Sequence, residues 1–122
     1  MEFTCLTVGP LETNCYIIWD HATPKAAIID PGGDRDRILR TVSKLGLSVE
    51  RILLTHGHPD HAFLAGDLAA RLNARVGMHH ADLMQLTEGL GIAEVYYDVS
   101  DYVSMTPDDF FADGEKIALG DS

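Results

Sequence analysis

Residues 56–61 read His-Gly-His-Pro-Asp-His, and no other stretch of the 122-residue chain restricts its fold as strongly. Three imidazoles and a carboxylate packed this densely are hard to explain as core. The segment follows a run rich in apolar residues at 49–55 (Val-Glu-Arg-Ile-Leu-Leu-Thr), which reads as a buried strand. It precedes Leu64, Leu68 and Leu72, an apolar stripe at helical spacing. The four polar residues therefore belong to a loop at the carboxyl end of a strand, just before a helix. On a helix, positions 56 and 58 would diverge by about 200°, whereas in extended backbone they share a side. Pro59 pushes His58 toward extended geometry, and Gly57 leaves the space between the imidazoles free.

His56 and His58 can then converge on one cation, while Asp60 and His61, where the chain turns into the helix, can reach a second. Imidazole and carboxylate together suit zinc at ~2.0–2.2 Å, with iron and manganese as alternatives. The plainer reading is a solvated loop whose Asp60 caps the helix. It would hold for a lone histidine, but the clustering favours a metal site.

The rest of the chain supplies a scaffold for such a loop. Strands are expected at 3–8, 14–19 and 26–29, separated by Gly9-Pro10 and by the polar turn 21–25, as an antiparallel meander. The second of these is almost entirely apolar and is expected to be buried on both faces. From Asp34 the period becomes helical, with Ile38, Leu39, Val42 and Leu45 on one stripe, Asp34 and Asp36 in the first turn, and Gly46 after the end. After the 64–72 stripe come a short strand at 75–78 and a helix at 81–90. Residues 91–107 lose the pattern, and 108–120 resume as a hairpin or as one strand and the start of the next. The fold class is mixed α/β.

Acidic residues outnumber basic ones by 19 to 9, a formal charge of −10. Such a surface repels phosphate backbones and anionic membranes, so neither nucleic acid nor membrane is an expected partner. The start Met1-Glu2-Phe3-Thr4-Cys5 lacks the basic, long apolar pattern of a secretion signal, and no apolar run approaches a membrane span. A cytoplasmic, reduced protein is expected. Cys5 and Cys15 have no C-x-x-C spacing and read as small hydrophobes buried in neighbouring strands.

The segment 55–61 resembles the HxHxDH signature of the metallo-β-lactamase superfamily. Two further stretches match in the same order. Residues 9–16 (Gly-Pro-Leu-Glu-Thr-Asn-Cys-Tyr) resemble the opening strand-turn of glyoxalase II-like (hydroxyacylglutathione hydrolase-like) members, and 28–33 (Ile-Ile-Asp-Pro-Gly-Gly) resemble their DPG turn. The resemblance runs over essentially the whole chain. It implies an αββα four-layer sandwich, of which residues 1–122 are roughly the first half, truncated at the C-terminus before a turn that supplies further ligands. It also implies two metals, the first on His56 and His58 and the second on Asp60 and His61, with Asp60 counted as catalytic too. A shared metal-bound hydroxide would attack an acyl carbonyl, most simply in thioester hydrolysis of a glutathione conjugate by the full-length parent.

Lactonase, nuclease and iron persulfide dioxygenase chemistry use the same loop. The competing reading is a catalytically incompetent fragment with a partial metal site. Its uncovered sheet face would lead to self-association. His21 lies in an early turn, and His79 and His80 are expected at a helix start, without a ligand role. Phe63 and Leu64 stand where many members carry glycine or alanine, a departure expected to reshape the packing behind the loop while removing no ligand.

Overall fold

The fold was obtained as a computed structural model, and residues 2–10, 12–55, 63–79 and 109–111 are described. Six strands form one sheet in sequence order: β1 (Glu2–Val8), β2 (Thr13–Trp19), β3 (Lys25–Ile29), β4 (Ser48–Leu54), β5 (Arg75–His79) and β6 (Asp109–Phe111). The first three pair antiparallel, as the meander expected from the sequence, and β3 through β6 pair parallel, so the described sheet is mixed within the expected mixed α/β class. Among the described residues two helices connect parallel strands, α1 (Arg35–Lys44) between β3 and β4 and α2 (Ala65–Leu72) between β4 and β5.

Cross-strand partners share a face, so the register sorts the side chains directly. Ile17, Ile28, Ile52 and Val76 stand in one row across β2, β3, β4 and β5, each at most 1% exposed. Ile38 and Val42 of α1 and Leu68 of α2 join the same buried cluster, so this is the face that the helices cover. Each such aliphatic side chain contributes about 1.5–3 kcal/mol by leaving water. One irregularity is needed to fill the row. Between Ala26 and Ala27 the pairing on β4 steps from Val49 to Arg51, and this lets Val49 and Ile52, three apart, both face the core.

The opposite face carries Cys5, Tyr16, Ile29 and Leu53 in one row and Phe3, Ile18, Ala27 and Arg51 in the next. Phe3 is 67% exposed and Tyr16 37%, while Ile18, Ile29 and Leu53 are half-buried. The expectation that β2 is buried on both faces is therefore corrected. An apolar strand is buried twice only where both faces are packed, and the described helices α1 and α2 lie on one. Cys15 is buried, but Cys5, a β1 residue on the open face, is exposed, which corrects half of the cysteine reading.

Helix ends follow the local sequence. Gly46 takes φ +66°, with its N–H on the Ser43 carbonyl and that of Leu47 on Val42, closing α1 in a left-handed turn that glycine adopts without strain. Asn73, at φ 52°, ends α2 similarly. The helix at 81–90, the irregular stretch 91–107 and most of 108–120 lie outside the described residues. The strand after α2 runs one residue further than expected, so His79 ends β5 rather than opening a helix. No helix among the described residues is long and apolar enough to cross a membrane.

Candidate metal centre

His56, His58, Asp60 and His61 lie in the segment 56–62, outside the described residues; their surroundings are described on both sides. Among the described residues no three His, Cys, Asp or Glu side chains come together as a metal site. The donor set itself fits a metal ion: neutral imidazoles and a carboxylate are the ligands that divalent zinc or iron takes.

The topology places the residues on either side of this segment. β1, β3, β4 and β5 run in one direction, so their carboxyl ends meet along one sheet edge. Among the described residues, the β1–β2 turn around 9–12, the β3–α1 turn at 30–34, the end of β4 at Thr55 and the start of α2 at Phe63–Leu64 lie there. Open α/β sheets bind their ligands at such an edge.

The β3–α1 turn is built around Asp30, whose backbone sits at φ 57°, an uncommon region for a residue with a side chain. Its N–H still donates to the Leu53 carbonyl at 3.0 Å, continuing the sheet. The side chain, in a residue only 4% exposed, turns toward the end of β4. One carboxylate oxygen accepts the Thr55 backbone N–H at 2.8 Å, and the other accepts the Thr55 hydroxyl at 2.6 Å. Hydrogen bonds to an ionised acceptor are worth about 1.5–3 kcal/mol each. Thr55 is the residue immediately before His56. At the far end of the loop, the Leu64 N–H donates to the Pro31 carbonyl at 3.0 Å.

The neighbouring turn supports this one. A side chain added at Gly33 would place its Cβ 2.5 Å from the Gly9 Cα, so only glycine permits the two turns to touch. The Gly9 N–H donates to an Asp34 carboxylate oxygen at 3.1 Å, and the Arg37 guanidinium donates to the Thr7 carbonyl at 2.6 Å. Asp34, read in the sequence as an acidic first-turn residue, instead precedes α1 at φ 56° and makes no side-chain capping bond. Its carboxylate ties helix to turn.

Phe63 and Leu64, the departures from the family pattern, are 5% and 4% exposed and belong to the core cluster. They anchor the outgoing end of the loop. Beside them Asp67 of α2, its side chain 10% exposed, accepts Arg35 at 3.3 Å and Arg71 at 3.0 Å, linking α1 to α2. An open cleft of about 710 Å³ lies against these elements, lined by Phe63 and Leu64 and by both charges, Asp34 and Asp36 beside Arg35, Arg37 and Arg40.

Cys15 sits on the covered face with its thiol pushed up to about 12, by burial first and then by the Asp30 charge and Cys5. A thiol held protonated is no nucleophile. His21, 81% exposed in its side chain, bonds Glu2 at 3.1 Å, far from the loop edge. His79 ends β5 at the loop edge of the sheet. Sequence reasoning read the Asp-Pro-Gly-Gly run as a turn and missed the Asp30–Thr55 bonds. The signal available was a carboxylate opening a turn at the end of one strand, with a threonine closing the next.

Comparison with known proteins agrees with this architecture. The family model of the metallo-beta-lactamase superfamily matches residues 8–120. The hydroxyacylglutathione hydrolase GloC of Haemophilus influenzae is 32% identical over 121 residues, spanning 98% of this chain and 56% of that protein. The BLEG-1 B3 metallo-beta-lactamase superposes with a TM-score of 0.80 at 24% identity, over 98% of this chain and 57% of that one. TTHA1623, solved in a di-iron-bound form, gives a TM-score of 0.74 at 28% identity, over 93% and 56%. The chain spans about half the length of the curated relatives it matches. It belongs to the metallo-beta-lactamase superfamily, whose members depend on metal ions.

Proposed function

We propose that the protein of which these residues form part is a metal-dependent thioester hydrolase acting on a glutathione conjugate. The observation that carries this reading is the His-Gly-His-Pro-Asp-His sequence at 56–61, directly after β4, in a chain 32% identical to a hydroxyacylglutathione hydrolase. His56 and His58 would hold one metal and Asp60 and His61 a second, with zinc first by donor chemistry and iron or manganese as alternatives. Such a pair, when bound, supplies an activated water and withdraws charge from the carbonyl oxygen under attack.

The chain's own part is positional. The end of β4 and the buried Phe63 and Leu64 give the ligand segment two rigid abutments, and rigid support is what a dinuclear site requires. Cys15 takes no part in the chemistry, because its thiol stays protonated to about pH 12. An anionic conjugate must approach a chain of formal charge −10, and the cleft lined by Arg35, Arg37 and Arg40 also carries Asp34 and Asp36, with Arg35 paired to Asp36 and Asp67. The same charge argues against a nucleic-acid substrate. Cytoplasmic location and self-association through the open sheet face belong to the same reading.

The test pairs elemental analysis with hydrolysis of S-lactoylglutathione. The expected result is metal retained through gel filtration, with turnover that falls at least 100-fold in His58→Ala. Turnover unchanged by that substitution would refute the assignment of the site. Absence of both metal and turnover would favour an incompetent partial site.

A further inference from the structure

β1 forms one border of the sheet, and among the described residues only β2 pairs with it. In an antiparallel ladder, alternate residues turn their backbone groups toward the partner strand and the others turn them away. The Thr7 carbonyl accepts the Arg37 guanidinium at 2.6 Å, so Thr7 belongs to the outward set, together with Cys5 and Phe3. Arg37 caps the edge at Thr7, and the N–H and C=O groups of Phe3 and Cys5 face water. The devices that normally blunt an edge are missing from this stretch. Glu2–Val8 contains no lysine and no proline, and its register with β2 has no bulge. The side chains on the open side of the same two residues are exposed as well, Phe3 to 67%.

We propose that β1 pairs antiparallel with β1 of a second copy of this chain, about a two-fold axis at Thr4, so that one sheet runs through both copies. The free backbone groups select this register. Phe3 of each copy faces Cys5 of the other, and such a pair exchanges both of its hydrogen bonds while the Arg37–Thr7 bond stays intact. An axis at Cys5 would instead set Phe3 against Thr7 and displace Arg37. Charge is complementary in the same register. Glu2 has the parity of Leu6, which packs against the core on the helix-covered side, and Glu2 of one copy lies opposite Leu6 of the other. That brings its carboxylate beside Thr7 and the Arg37 guanidinium there, once at each end of the contact. Within one chain Glu2 meets only the exposed His21, at 3.1 Å. Two copies of formal charge −10 repel at long range, but salt screens that repulsion beyond about 8 Å, so contacts at the edge decide. Thr4 faces Thr4, a favourable cross-strand pair, and Phe3 covers the small Cys5 beside Tyr16 of the other copy. The contact is the same on both copies and therefore closes as a dimer. It concerns the border of the sheet and not its open face, and it is independent of the metal reading.

The test follows the full 122-residue chain by sedimentation over a range of concentrations under reducing conditions, and by disulfide trapping under mild oxidation. The parent should show a monomer–dimer equilibrium. Cys5→Pro removes an N–H that points away from β2, a position where an edge strand tolerates proline, and should weaken the dimer about tenfold or more. Glu2→Arg and Arg37→Glu should each weaken it by about 3–10-fold, and the two together should recover part of the loss. Position 4 lies in a non-hydrogen-bonded pair with itself, at a Cα separation of about 4.5 Å, within the span of a disulfide. Thr4→Cys in a Cys5→Ser background should therefore form an interchain disulfide, faster than the parent does through Cys5. A contact through the open face would leave position 4, on the helix-covered side, unlinked. A parent that stays monomeric at every concentration would overturn the proposal. So would a dimer indifferent to Cys5→Pro and to both charge reversals, or one in which Thr4→Cys does not cross-link. If Cys5→Pro does not fold, the charge reversals and the cross-link decide.

Discussion

On β2, Cys15 and Ile17 face the core at 0% exposure, while Tyr16 between them is 37% exposed and Ile18 beyond is half-buried. The two faces of the sheet are both rich in apolar side chains, yet only one is covered by α1 and α2. A sheet with water on one face normally alternates apolar and polar residues, and this strand does not. Its composition is that of a strand buried on both sides. An apolar stretch therefore reports which surfaces a strand is suited to cover, and the packing partners decide which of them are covered.

The sharpest way to break this comparison is to truncate one residue from each face. Ile17→Ala should lower unfolding free energy by about 2–4 kcal/mol, through lost transfer and the cavity left behind. Ile18→Ala should lower it by about 1 kcal/mol or less, since part of that side chain already meets water. Denaturant melts of the two variants measure the difference, and equal losses would show that both faces are packed.

Alkaline pH probes the same contrast through the cysteines. Burial raises the Cys15 thiol to about 12, so the folded chain keeps a proton that the unfolded chain releases from about pH 9. Stability from this residue is complete below about pH 9 and falls as pH rises toward 12, with a slope near 1.4 kcal/mol per pH unit at most. Cys15→Ala should flatten that part of the stability profile. In the folded protein at pH 8, a thiol reagent should modify Cys5 and leave Cys15 untouched, which mass spectrometry after digestion reads directly.

The smallest expected effect is on association. Phe3→Ser with Tyr16→Lys removes exposed apolar area from the open face while changing folding stability by about 0.5 kcal/mol or less. Sedimentation at rising concentration should show less self-association than the parent chain. Identical profiles would mean that copies do not meet through this face.

Much of the fold was legible because the periods are clean. The described strands and helices lie where the alternation, the Leu64–Leu72 stripe and the turn residues put them, within about two residues at each end. Gly46 ends α1 at φ +66°, as a glycine after the last apolar position should. The errors fall where a side chain has a choice of partner. Asp34 was read as an acidic first-turn residue of the helix, but its carboxylate takes the Gly9 N–H across the edge of the sheet. Asp30 was read as one letter of a turn, but its carboxylate holds a threonine 25 residues away. Local sequence lists donors and acceptors; it does not say which of them the fold brings within 3 Å.

Sequence alone determined the family, the mixed α/β alternation and the clustering of three histidines and an aspartate at 56–61, because periodicity and residue spacing are properties of neighbours along the chain. Tertiary structure decided which face of the sheet is covered, why Gly33 must be glycine, and that both ends of the loop are tied to Asp30 and Pro31. Those depend on strands and turns distant in sequence meeting at one edge, and such meetings follow from the packing of the whole sheet rather than from any single stretch of it.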